Sequence, residues 1–286
     1  MSVHLILLVV QLCFASLAVV GKLALRDAPA GALVLARVAG GTLVFWLLAR
    51  RASGWRLERR DVLRLVVCAH LGVVVNQLLF LHGLARSTAI NASVLGTTIP
   101  VFTAIFAAAT GSERLRPARV AGIAVAMAGA LILARVDRFS FSDQHAVGNL
   151  LIVANSCSYG LFLVSVRPLA ARIPPMPLVA LLFTCALPGV GFFGVPDWIE
   201  LAPRLTGREA ALIAFIIAVP TVAAYSLNQV AIQRADSSVV AVYIYLQPVL
   251  AAVGAALLLS ERPDARTFAA AALIFPGVWL SARAHR

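Results

Sequence analysis

Long apolar runs separated by short polar punctuation dominate this chain. Ten such blocks stand out: His4–Val20, Ala30–Leu48, Val62–Leu81, Ile90–Ala109, Ala118–Ala134, Ala146–Val166, Leu178–Val195, Ala210–Val230, Val239–Leu259 and Phe268–Ala282. Arg, Asp, Glu, Pro and Gly collect between them. A helix crosses the hydrocarbon core with about 20 apolar residues, within a range of about 17–25. Strands of a membrane barrel would instead alternate apolar and polar side chains over about ten residues. The blocks are continuous, so the pattern predicts spanning helices. The block from Phe268 is short and the one from Leu178 contains Pro188, which makes them the least regular of the set. No Lys or Arg precedes the first block, which opens on His4, and Lys22 follows it, so it reads as a permanent span rather than a cleaved signal.

Composition agrees. Of 286 residues, 61% are hydrophobic and 13% charged. A soluble domain carries about 25% charged residues, so this chain has too little polar surface to face water. The net charge of +12 does not point to nucleic acid, because the basic residues sit in short loops between spans, where they set orientation. Cys13, Cys68, Cys157 and Cys185 all fall inside apolar blocks and lack metal-ligand spacing. They read as small buried hydrophobes, with no disulfide, metal or cofactor implied.

The chain also repeats itself. "IPVFTAIFAAATGSERLRP" runs from Ile99 to Pro117, and "QPVLAAVGAALLLSERPDA" from Gln247 to Ala265. An offset of 148 positions carries Pro100 to Pro248, Arg86 to Arg234, Glu113 to Glu261, Arg114 to Arg262 and Gly129 to Gly277. Lys22 and Arg167 correspond at an offset of 145. The expected organisation is all-α and integral to the membrane: ten transmembrane helices as two five-helix repeats, residues 1–142 and 143–286. Five is odd, so the second copy runs through the membrane in the opposite sense. The loop after the second block holds Arg50, Arg51, Arg56, Arg59 and Arg60 against Glu58 and Asp61. Its counterpart after the seventh holds Arg204 and Arg208 against Asp197, Glu200 and Glu209. The basic loop belongs in the cytoplasm, which places both termini there. The Ser-Glu-Arg triplets then close the fourth and ninth helices at the interface, where charge is tolerated.

With "SERLRPARVAGIAVAMAGALIL" and "SERPDARTFAAAALIFPGVWL" on the two copies, the chain resembles the EamA-type members of the drug/metabolite transporter superfamily. The resemblance covers nearly the whole chain and departs at Ala270, which replaces the Gly122 of the first copy. It implies a secondary transporter of a bacterial inner membrane, often an exporter of amino acids or other small metabolites. It does not name the substrate.

Polar residues inside the spans are the candidate site. An intramembrane polar group is costly unless it is paired or faces water. The candidates for substrate contact are Gln11, Asn76, Gln77, Asn91, Asn155, Tyr159, Tyr225, Asn228, Gln229, Tyr243 and Gln247. Asn155 and Tyr159, Tyr225 and Gln229, and Tyr243 and Gln247 each share a helix face at i, i+4. The bland alternative for each is an interhelical hydrogen bond. Arg37 is the one charge deep in a block. It reads as an anchor to backbone carbonyls, the other use being a substrate carboxylate. Pro100 and Pro248 read as matched hinges, and Glu113 and Glu261 as structural end groups.

No Asp or Glu lies deep in a span. That disfavours an acidic proton relay and a strongly cationic substrate. Coupling is absent or uses His70 or His82. The expected function is export of a small neutral or zwitterionic metabolite by alternating access. The alternative is a membrane-embedded lipid-modifying enzyme, for which no carboxylate cluster or His/Asp set is present. The expected partners are the metabolite and the bilayer, with homodimerisation left open and nucleic acid excluded.

Overall fold

Local chemistry marks where the helices begin. The Asp143 carboxylate accepts from the amides of His145 and Ala146, and the Thr88 hydroxyl from that of Asn91. Thr206 and Glu209 form a reciprocal capping box. Pro175 occupies the first turn of its helix, where a missing N–H costs nothing.

The computed structural model describes residues 3–111, 117–133, 143–232, 243 and 246–283. All described elements are helical. The main ones are α1 (Val3–Ala24), α2 (Ala30–Ala49), α3 (Arg59–Arg86), α4 (Ala89–Ala109), α5 (Pro117–Leu133) and α6 (Gln144–Ser165). They continue with α7 (Pro175–Leu201), α8 (residues 207–232), α9 (Leu246–Leu259) and α10 (Ala265–Arg283). Among the described residues, seven helices are long and apolar enough to cross a membrane. The stretches Val120–Leu133, Leu246–Leu259 and Ala265–Gly277 are shorter apolar helices. Leu43, Phe192 and Leu257 stand 66%, 78% and 78% exposed, an outer surface suited to lipid rather than water.

Three helices are irregular in mid-course. In α3, residues His70–Val75 form a π-helical segment, and in α8 Ile217–Ala223 does the same. In α4 the ladder breaks at Thr97 and Thr98, just ahead of Pro100. Proline has no N–H and its ring crowds the carbonyl four residues back. The Thr97 and Thr98 hydroxyls turn back onto the carbonyls of Val94 and Leu95, each at 2.7 Å. Pro188 does not break α7, which runs through it. Such prolines persist where neighbouring groups satisfy the freed backbone.

Helix pairing follows a regular plan. α2 packs on α7, and α5 on α10. α1 packs on α8 and α9, and α6 on α3 and α4. α8 also meets α2, α3 also meets α7, and α4 meets α9. The contact of α5 with α10 depends on close backbone approach from both sides. A Cβ at Gly277 would stand 2.5 Å from the Ala126 amide nitrogen and 2.7 Å from the Gly122 carbonyl oxygen. A Cβ at Gly129 would stand 2.9 Å from the Ala270 carbonyl oxygen. The carbonyls of Gly122 and Ala270 thus face α10 and α5 reciprocally despite the exchange of glycine for alanine.

Candidate functional site

Proline chemistry builds the centre of the site. Pro220 has no N–H, so the carbonyl of Ile216, four residues earlier, loses its ladder donor. The Thr221 hydroxyl fills that place, donating to Ile216 O at 2.9 Å. The Thr221 hydroxyl oxygen in turn accepts from Arg37 Nε at 2.6 Å. Arg37 Nη2 also reaches the Pro220 carbonyl at 3.5 Å. Arg37 and Thr221 are 4% and 0% exposed. The deep arginine therefore reaches from α2 to the widened turn of α8.

The widened turn of α3 has its own outside partners. Ser158 of α6 donates to the Leu71 carbonyl at 2.8 Å. Asn155, one turn earlier, donates through Nδ2 to the Asn76 carbonyl at 2.7 Å. A π segment displaces carbonyls from the ordinary ladder, and in both helices side chains from neighbouring helices take them up.

Aromatic groups fill the space between. Tyr225 of α8 sits among Phe14, Phe45 and Phe183, with ring centroids 5.9, 6.1 and 5.9 Å away. Tyr159 of α6 lies 5.3 Å from Phe162. Both phenols interact electrostatically with Arg37. Gln77, 2% exposed, has no hydrogen-bond partner for either amide atom among the described residues, and the buried Ser226 hydroxyl has none among them either. Asn228 is part-buried on α8.

The remaining candidates are engaged with other partners. Gln247 Nε2 donates to Gln11 Oε1 at 2.7 Å, joining α9 to α1 beside the buried Pro248. Tyr243 meets His4 at 2.9 Å, at the first turn of α1. Asn91 lies at the start of α4, where its Oδ1 is 2.9 Å from the Thr267 hydroxyl. The side chain of Gln229, and Glu113 altogether, lie outside the described residues.

The two ends of the bundle are chemically distinct. At one, Lys22 donates to the carbonyls of Leu84, Ala85 and Ser87 at 2.8, 3.0 and 2.5 Å, capping the end of α3. Beside it Glu261 accepts from the amides of Ala89 and Ile90 at 2.9 and 3.4 Å, capping the start of α4. Ser87 also bonds to Asn149. At the other end a cavity of about 900 Å³ opens among Arg60, Asp61, Arg64, Val67, Val164 and Arg172. Arg172 pairs with Asp61 at 2.5 Å and Glu58 at 3.2 Å. The hydrogen bond to Asp61, more than any other influence, raises the Arg172 guanidinium above its ordinary pKa. Among the described residues no three His, Cys, Asp or Glu side chains gather into a metal site.

Thr221, Ser158, Asn149 and the partners of Lys22 were absent from the sequence-based candidates. The Pro-Thr pair at 220–221 was the available signal for the first; the others announce themselves only through distant partners.

The family model described as the EamA-like transporter family matches residues 1–135 and 146–283. The chain is 29% identical over 247 residues to a pseudopaline exporter of Pseudomonas aeruginosa, covering 86% of this chain and 84% of that one. It is 24% identical over 257 residues to a probable terminal-alkyne amino-acid exporter of Streptantibioticus cattleyicolor, covering 87% and 82%. A crystal structure 22% identical in sequence superposes with a TM-score of 0.66, covering 100% of this chain and 99% of the other. That likeness establishes the fold.

Proposed function

Because the chain belongs to the EamA-like transporter family, we propose that it exports small neutral or zwitterionic metabolites, amino acids among them, by alternating access. The observation that carries this reading is a set of polar groups in the helices that have no hydrogen-bond partner among the described residues. Gln77 comes from α3, Tyr159 from α6, and Tyr225, Ser226 and Asn228 from α8. A small zwitterion needs a few polar partners amid apolar walls. Phe14, Phe45, Phe162 and Phe183 supply such walls. The exporter names of the relatives support the direction and the class of cargo.

The mechanical part rests on symmetry. Ten crossings form two inverted five-helix halves, 1–142 and 143–286. Four observations support this. The family model matches one stretch in each half. Several of the main helix pairings have images: α1 with α8 and α9 mirrors α6 with α3 and α4, while α2 with α8 mirrors α7 with α3. The π segments His70–Val75 and Ile217–Ala223 end 148 positions apart, the offset that relates Pro100 to Pro248. Finally, Gly41 faces Thr221 in one π segment, and Gly189, 148 positions on, faces Val74 in the other. Two like bundles meeting at a shared site can rock to open it on either side. The break before Pro100 and the matched Pro248 serve as hinges. Both termini lie in the cytoplasm of a cell whose inner membrane holds the chain.

Transport by Tyr159→Ala and Asn228→Ala tests the site, in protein shown to be folded and reconstituted into vesicles. Both are expected to slow counterflow of labelled L-leucine, L-phenylalanine or L-alanine by about tenfold, about 1.4 kcal/mol. Parent rates for every amino acid in both variants would place the cargo elsewhere.

A further inference from the structure

Arg37 is held but not neutralised. A guanidinium has five N–H donors. Nε is satisfied by Thr221, one Nη2 hydrogen makes a long bond to the Pro220 carbonyl, and Nη1 has no partner among the described residues. No carboxylate pairs with it among the described residues. An arginine buried this fully is almost always paired, because an isolated interior charge is expensive. The phenols of Tyr225 and Tyr159 couple to it electrostatically. Neither phenol oxygen is bonded to a described residue, and both tyrosines are part-buried. A fixed positive charge with spare N–H donors thus lies at mid-helix, coupled to two phenols and without a carboxylate partner among the described residues.

We propose that Arg37 binds the carboxylate of the transported metabolite, with Tyr159 and Tyr225 donating to the same group. This deepens the export reading above and rests on it: the cargo is a carboxylate-bearing zwitterion or anion rather than a neutral polar molecule. A guanidinium matches a carboxylate with two parallel hydrogen bonds. Thr221 holds the guanidinium by Nε and leaves the Nη edge for cargo. The two roles that sequence reading set against each other, anchor and ligand, use different nitrogens of one side chain. Lysine cannot replace this, because an ammonium is a point charge without the planar fork.

The test compares acids with their amides. Detergent-purified protein is titrated with L-alanine, L-norvaline, L-leucine and L-phenylalanine, and with the α-amide of each, reading thermal stabilisation and competition for counterflow. In the parent protein at least one acid is expected to bind about tenfold or more tighter than its amide, a gap of about 1.4 kcal/mol. Arg37→Gln is expected to bring that acid-to-amide ratio near one, and Arg37→Lys to restore it only in part. A ratio near one in the parent, or no response to any acid, overturns the proposal even if the Arg37 variants fail to fold. So does an unchanged ratio in folded Arg37→Gln. Tyr159→Ala and Asn228→Ala separate this from failure of the site itself. If they weaken acid and amide alike while Arg37→Gln leaves the ratio intact, the site stands and the carboxylate assignment falls. If they change nothing, the site is misplaced.

Discussion

Thr221→Val removes one hydroxyl and keeps nearly the same shape. The oxygen serves two groups, receiving Arg37 Nε at 2.6 Å and donating to Ile216 O at 2.9 Å. Hydrogen bonds between membrane helices average about 0.6 kcal/mol with a maximum of about 1.7, so on that scale the two losses total about 1–2 kcal/mol. Leaving a buried donor unpaired costs about 1–3 kcal/mol, and more when it is charged. That second effect dominates here, because Thr221 is 0% exposed and Arg37 4%. The expected destabilisation is about 2–4 kcal/mol. At about 2–4 °C per kcal/mol for a chain of this size, the melting temperature should fall by roughly 5–10 °C. Thr221→Ser keeps the hydroxyl and loses one methyl, about 0.8 kcal/mol. The assay is thermal unfolding in detergent, followed by size-exclusion chromatography of the surviving folded fraction. If the valine and serine variants melt together, the hydroxyl does not tether Arg37 and the account of the α8 turn is wrong.

Two further outcomes follow from packing and charge. Gly277→Val must push α10 off α5, since its Cβ would meet the Ala126 backbone at 2.5 Å; overpacking of this kind costs about 1–3 kcal/mol. Gly96→Ala, where an added methyl meets nothing within 4 Å, should melt no lower than the parent, and equal melting of the two variants would contradict the packing. A fluorescent-protein fusion after Arg286 should fluoresce if the proposed orientation, drawn from the basic loop at Arg50–Arg60, is right. A dark fusion paired with activity of a periplasmic reporter at the same point would reverse the orientation.

Much of the fold was legible in the chain because helix-forming apolar runs are a local signal. The described residues of the ten blocks fall almost entirely on helices, and Ala30–Leu48 differs from α2 by one residue. Helix ends were less legible. α3 begins at Arg59 and ends at Arg86, beyond the apolar block Val62–Leu81, because charged and polar residues extend a helix past the hydrocarbon. The π segment in α3 had no signal, since nothing in "HLGVVV" forbids an ordinary α-helix. Its partners Ser158 and Asn155 lie 87 and 79 positions from the carbonyls they bind. The same distance hid the site's arrangement. Arg37 and Thr221 are 184 positions apart, and His4 and Tyr243 are 239 apart. Residue type pointed to which side chains need partners; only the packing of α2 on α8 and α1 on α9 says which partners they find.

Counterflow is the most direct test of the central claim, because a carrier that alternates between two faces exchanges cargo faster than it releases it. Purified protein in vesicles preloaded with unlabelled L-alanine, L-norvaline, L-leucine or L-phenylalanine is presented with the same labelled amino acid outside. The account predicts transient accumulation of label above its equilibrium level for at least one amino acid, abolished when the preload is omitted. Label that only equilibrates, at the rate seen in protein-free vesicles and for every amino acid, would contradict it.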